Sequence, residues 1–261
     1  MVRRRLQRHP IPMVAHFRHS LVLAYAFPRA VLEPLLPPPL VLDAHGNDGI
    51  AAVALVQTER LRPAFLPAAL GRRFFLCGYR IFTRLRHAQS MRGLYILRSD
   101  TDKQTMVTFG NLLTHYRYRK ADVRTAERSS TFEVEIKTPR GDADVHLTAD
   151  LSAHPDTPPR GSPFADLREA RRYAGPLPYT FDYERETSCV VLIRGVRSAW
   201  DPQPVTVDVR ELTFFRQDLF GGVEPVLANA FHVADVDYRW QRGQLVKPGG
   251  RSVEASSTRP A

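Results

Sequence analysis

Apolar runs rich in strand formers recur along the chain, with shorter stretches of strict period-two alternation, and together they predict strands far more often than helices. Residues 20–27 (SLVLAYAF) form an apolar run rich in strand formers, and 50–59, 74–86 and 93–99 follow in the same style. In 131–138 the residues Phe132, Val134 and Ile136 alternate with Glu133, Glu135 and Lys137, which puts Lys137 on a solvent face with the acids. Further strands are expected at 112–123, 144–152, 179–194, 204–215 and 227–240. Helical spacing is rarer. Pro28 opens an amphipathic turn over 28–36 that three successive prolines at 37–39 must stop. The clearest helix is expected at 163–174: Ser162 can cap it, Pro163 suits its first position, and Gly175-Pro176 ends it. The stretch 100–109 stays open between a turn and a short helix, because Asp100, Thr101 or Asp102 could supply a cap. Gly46–Gly49 reads as a hairpin turn and 63–71 as a proline-bearing loop.

No repeat or interdomain linker interrupts this pattern. The expected architecture is a single mainly β (α+β) domain over 13–247, between a flexible basic tail, 1–12, and a disordered tail, 248–261. Hydrophobic residues make up 43% of the chain, enough for a core. No window approaches the roughly 18 continuous apolar residues of a membrane span. The basic N-terminus lacks the apolar stretch of a signal peptide, so a cytoplasmic location is expected.

Cys77 and Cys189 lie in strand-like runs without CxxC or metal-ligand spacing, and are expected to be small buried hydrophobes. His16 and His19 sit three apart with no further ligand suggested nearby, so no metal site is expected. The absence of a GxGxxG, a P-loop, an HExxH or a GxSxG elbow leaves no expected cofactor. The net charge of +10 is almost all arginine, since the lysines are only Lys103, Lys120, Lys137 and Lys247. Apart from Arg3–Arg5 the arginines are scattered, and no nucleic-acid-binding signature accompanies them. The expected partner is a small molecule; nucleic acid is disfavoured, no membrane is implied, and homo-oligomers stay open.

Three segments carry a resemblance. They are Arg18–Tyr25 with 28–42, the strand 93–102 that ends in an acidic turn, and 110–120. Together they resemble the acetoacetate decarboxylase superfamily. Much more of the chain is similar to an uncharacterised bacterial group of that superfamily, the YqjF-like proteins. The shared features are Leu-Leu-Pro-Pro-Pro-Leu at 35–40, the strand 74–82 with Arg80 inside it, Glu184-Arg185, and Trp200-Asp-Pro-Gln-Pro. The resemblance implies an antiparallel cone- or barrel-like sheet around a pocket. It places Arg18 where the superfamily has an arginine implicated in holding a substrate carboxylate. It also implies a Schiff-base lysine eight positions after Gly110, but that position is Tyr118, followed by Arg119. The superfamily's pocket glutamate falls near Gly78 or Tyr79, where there is no acid.

A tyrosine cannot form an imine, and an arginine stays protonated. The expected function is therefore a pocket for a small organic, carboxylate-bearing ligand without the superfamily's classical decarboxylation. The alternatives are a divergent lyase-type enzyme that works without that lysine or through Lys120, and a non-catalytic basic nucleic-acid or interaction protein. Arg18 and Arg80 are the candidates for anion recognition, Tyr116 and Tyr118 for walls or hydrogen bonds, and Arg119 for a neighbouring cation. Lys120 and His115 are the weaker catalytic candidates, His115 only if it faces inward. Parity separates Thr114, Tyr116 and Tyr118 from His115, Arg117 and Arg119. Either set could face the interior, the tyrosines by default because unpaired buried arginines are costly.

Overall fold

The computed structural model describes residues 6–173 and 177–247. The expected tail 248–261, the first five residues of the basic tail, and Ala174 with the Gly175-Pro176 stop lie outside those residues.

Long strands build a closed sheet. β1 (Met13–Pro28) pairs antiparallel with β3 (Asp48–Pro63), and β3 with β4 (Arg72–Leu85). β4 pairs antiparallel with β5 (Ala88–Thr101), beside which β10 (Tyr179–Glu184) runs parallel. β11 (Cys189–Arg197) and β14 (Val226–Trp240) complete the ring, because β14 pairs with both β11 and β1. β2 (Leu40–Leu42), β12 (Gln203–Pro204) and β15 (Gln244–Val246) extend its margins. The chain adopts the mainly β fold expected from its pattern and the barrel-like sheet implied by the resemblance, although β10 runs parallel to β5 where wholly antiparallel pairing was expected.

A second sheet packs on the outer wall. It comprises β7 (Asp122–Arg128), β8 (Thr131–Lys137), β9 (Val145–Asp150) and β13 (Thr206–Leu212). Its apolar face, with Phe132, Val134 and Ile136 from β8, meets Leu21, Leu23, Val53, Leu55, Tyr79 and Ile81 from the barrel. Tyr79 is the pivot of this core: its ring stacks 3.8 Å from that of Phe214, and its hydroxyl donates to the Ala143 carbonyl at 3.3 Å. Lys137 keeps its solvent-facing place, bonded to Glu211 at 2.6 Å.

The period of two gives each barrel strand one face on this core and one on the barrel interior. On β3 and β4 the interior positions are even-numbered: Ala52, Ala54, Val56, Leu76, Arg80 and Phe82. β1 changes parity part-way. Phe17 faces in, Leu21 and Leu23 face out, and Val22 and Ala24 face in. The register against β3 shifts between Phe17 and His19, which makes Arg18 the extra residue of a bulge.

Three expected elements change. The strand expected at 179–194 is divided by a turn at 185–188 into β10 and β11, which pair with each other. The strand expected at 112–123 begins only at β6 (Tyr118–Lys120), because the helix Gln104–Leu113 occupies its first positions. No side chain caps that helix at its start, so the capping residues weighed at 100–102 were no guide to it. The helix expected at 163–174 is shorter: Leu167–Ala170 is helical and Arg171–Tyr173 continues as a tighter turn. Asp166, not Ser162, caps it, accepting from the Glu169 amide at 2.7 Å, while the Glu169 carboxylate accepts from the Ala165 amide. Ser162 instead donates to the Ala228 carbonyl.

Candidate functional site

The barrel interior holds a cavity of about 220 Å³. Its space comes from small inward side chains on two adjacent strands, Ser20 on β1 and Ala52 on β3. The walls are apolar and aromatic, and the lining contains no Asp or Glu. Its volume falls below the roughly 300–1,000 Å³ of sites for drug-sized ligands, which bounds any occupant to a small molecule.

Arg80 enters this space from mid-β4. Burial pushes its pKa down from the ordinary value, and the groups acting on it are Tyr238, Cys77, Tyr118 and Tyr116. None of those is a carboxylate, and its Nε has no hydrogen-bond partner. Gly78 makes room for it: a Cβ there would lie 3.0 Å from Nη2 and 3.3 Å from Nε. The absent side chain at 78 thus leaves the guanidinium both space and no counter-charge.

A second guanidinium, Arg197 on β11, lines the same cavity. It donates to the Leu177 carbonyl at 3.1 Å and lies 5.3 Å and 5.5 Å from the ring centres of Trp200 and Tyr238. Those rings offset part of its desolvation. Arg80 has no such stacking partner among the described residues, so it is the stronger anion acceptor of the two.

Three phenols share the polar lining with His9, Ser20, Thr58, Ser99, Thr114 and Thr180, and the buried Nδ1 of His9 has no hydrogen-bond partner. Burial pushes the Tyr118 hydroxyl up to about 12 and raises those of Tyr116 and Tyr238 as well. All three therefore stay protonated near neutrality and can donate. The Tyr116 hydroxyl and the Trp200 indole N–H, both buried, have no hydrogen-bond partner. The helix Gln104–Leu113 passes Gly110 against the Tyr118 ring, where a Cβ would come to 2.3 Å. Gly110 and the position eight residues later therefore meet at the cavity wall, with an aromatic ring at the contact.

The parity question has a clear outcome. Thr114, Tyr116 and Tyr118 line the cavity, whereas His115 and Arg117 line an outer cleft with Asp182 and Arg185. Arg119 points away, its side chain 52% exposed and bonded to Asp142 at 3.1 Å. Lys120 is also outside, with Nζ on the Ala121 carbonyl and Asp122. Arg18 lies on the surface at the bulge, paired with Glu127 at 3.2 Å, because the parity change on β1 turns it outward. Of the five expected ligand-binding residues the structure brings together Arg80, Tyr116 and Tyr118, and separates Arg18 and Arg119 from them.

A family model described as an uncharacterized conserved protein, DUF2071, matches residues 14–236. The chain belongs to the DUF2071 family. No protein of curated function matches this DUF2071 chain. Solved structures do. An acetoacetate decarboxylase from Legionella pneumophila is 12% identical with a TM-score of 0.62, over 91% of this chain and 88% of that one. The enduracididine biosynthesis enzyme MppR, complexed with pyruvate, is 13% identical with a TM-score of 0.59, over 90% of each chain. An acetoacetate decarboxylase-like enzyme from Sphingomonas wittichii is 13% identical with a TM-score of 0.56, over 93% and 94%. At such identities the likeness is one of fold.

Sequence reasoning missed His9, expected in the flexible tail 1–12 but buried with its amide on the Leu113 carbonyl, and it missed Arg197, Tyr238 and Trp240 as lining residues of the DUF2071 cavity. Their signal was present: Val236, Tyr238 and Trp240 alternate with Asp235, Asp237 and Arg239 on β14. That alternation marks an inward face but does not say that the face borders open space.

Proposed function

We propose that the barrel of this DUF2071 protein binds a small organic anion, a carboxylate joined to an apolar or aromatic body. The observation that carries this reading is Arg80, a half-buried side chain whose Nε is enclosed and unpaired, in an apolar cavity whose lining is free of acids. A buried charge is costly unless paired, and a ligand carboxylate would pair it through charge-assisted hydrogen bonds. Neutral phenols of Tyr116, Tyr118 and Tyr238 would donate to the same head group, and the aromatic walls would take the body. A fold relative that holds pyruvate supports a carboxylate in this kind of barrel. Binding here proceeds without an imine, because Tyr118 stands where the resemblance requires a lysine, and Lys120 bonds to Asp122 outside the cavity.

The test is intact-mass spectrometry after borohydride treatment with pyruvate, paired with thermal shifts across a panel of carboxylates. The expected result is no covalent adduct and a raised melting temperature with phenylacetate. A borohydride-trapped adduct on Lys120, or no shift with any carboxylate, would sink the reading.

A further inference from the structure

Residues 114–117 link the helix to β6 without regular secondary structure, yet they carry Tyr116 and deliver Tyr118 to the cavity. Side chains hold their path. The Thr114 hydroxyl donates to the Gly110 carbonyl at 2.8 Å and accepts from the Tyr116 amide at 3.3 Å. Asn111 grips the backbone of Tyr118 at both ends, its Oδ1 accepting from the amide at 2.8 Å and its Nδ2 donating to the carbonyl at 2.9 Å. Arg117 takes a left-handed conformation, φ 55°, and donates to the Leu97 carbonyl at 3.2 Å.

The remaining hold comes from outside the barrel. Asp182 on β10, only 5% exposed, uses Oδ2 to accept from the His115 backbone amide at 2.8 Å and from its ring Nδ1 at 3.0 Å. Its Oδ1 accepts from the Tyr183 amide at 2.9 Å. One carboxylate oxygen thus ties both the backbone and the ring of the residue immediately before Tyr116.

We propose that Asp182 and His115 are positioning residues for the ligand site, which hold Tyr116 and Tyr118 in place from the outer cleft and tighten that hold when the imidazole is protonated. The proposal rests on the anion-binding reading of the cavity. The groups facing the imidazole are Asp182, Glu184 and Glu186 as acids, Arg117 and Arg185 as cations, and Tyr95 and Tyr183, while His9 acts on Asp182 from the cavity side, its own pKa lowered by burial. The hydrogen bond to Asp182 raises the His115 pKa above its ordinary value, against burial, with Glu184 and Glu186 adding to the rise. The neutral ring can already donate Nδ1–H to the Asp182 carboxylate, and protonation adds the attraction of an ion pair to that bond. Anion affinity should therefore fall as pH rises through that titration.

Two measurements test this. The first is amide hydrogen exchange of residues 115–118 in the ligand-free protein, corrected for intrinsic rates. The second is phenylacetate affinity between pH 5.5 and 8.5. Asp182→Ala should speed exchange at 115–118 about tenfold and weaken phenylacetate binding by a similar factor, the scale of one hydrogen bond to a charged group. Asp182→Asn keeps an acceptor oxygen; it should fold as the wild type and flatten the pH dependence. Unchanged exchange in Asp182→Ala overturns the proposal, as does faster exchange with unchanged affinity. Failure of the wild-type protein to bind phenylacetate overturns the anion-binding reading beneath it. That failure is recognisable separately, because the exchange result does not depend on ligand.

Discussion

At the scale of single residues, Arg80 is the one whose energetics are hardest to explain without a ligand. The side chain is half-buried, its Nε is enclosed and unpaired, and no acid lines the cavity around it. Replacement of buried ions by apolar residues of similar size is often neutral or stabilising, by about 1–4 kcal/mol. Arg80→Met is therefore expected to melt at the same temperature as the wild type or higher, while carboxylate binding is lost. Thermal unfolding checks the first half; a marked drop in melting temperature would mean that Arg80 is structural. Arg80 was legible in the sequence as an arginine inside a strand; Tyr116 and Tyr118 were assigned to the interior by strand parity, although 114–117 are not strand and side-chain hydrogen bonds set their path. Arg18 was misplaced because a one-residue bulge reverses the faces of β1. Whether a strand pairs in register or bulges depends on its neighbours, which a single strand's pattern does not contain.

At the scale of elements, the long alternating runs translated directly into β3, β4, β5 and β8, where side-chain period and burial agree. The helix Gln104–Leu113 did not, because it carries Gly110 and has no side-chain cap. Its contact with Tyr118 is what places it, and that contact is tertiary. The joint between the barrel and the second sheet also carries a prediction. His19 on β1 and His232 on β14 lie 3.0 Å apart, and His19 stacks 4.9 Å from Phe132 of β8. Burial, reinforced by His19, pushes His232 down to about 4. An unfolded histidine titrates near 6.5, so between roughly pH 6.5 and 4 the unfolded chain binds more protons at this site. Its contribution is present above that window and lost as pH falls through it, on the order of 3 kcal/mol. Asp100, pushed up to about 6 by burial against the pull of Arg98, acts oppositely, losing stability as pH rises from about 4 to 6. Denaturant unfolding of His232→Gln against wild type isolates the histidine: the two should differ in pH slope between 4 and 6.5. Parallel curves would show that the pair does not titrate on folding.

At the scale of the whole molecule, a closed ring of strands separates two apolar environments. The outer one is filled by the second sheet. The inner one is left with space by Ser20 and Ala52, and with cations by Arg80 and Arg197. The barrel was foreseeable from strand content and resemblance, but its free volume was not, because volume depends on which inward faces meet. That volume, charged and free of acids, is the basis of the account. The most direct test is calorimetric titration of phenylacetate and its neutral counterpart phenylacetamide into the same protein. The two share a body and differ in the head group's charge. The carboxylate is expected to bind and the amide to bind at least tenfold more weakly, since hydrogen bonds to charged groups contribute about 1.5–3 kcal/mol. Equal affinity for the two, or binding of the amide alone, would contradict it.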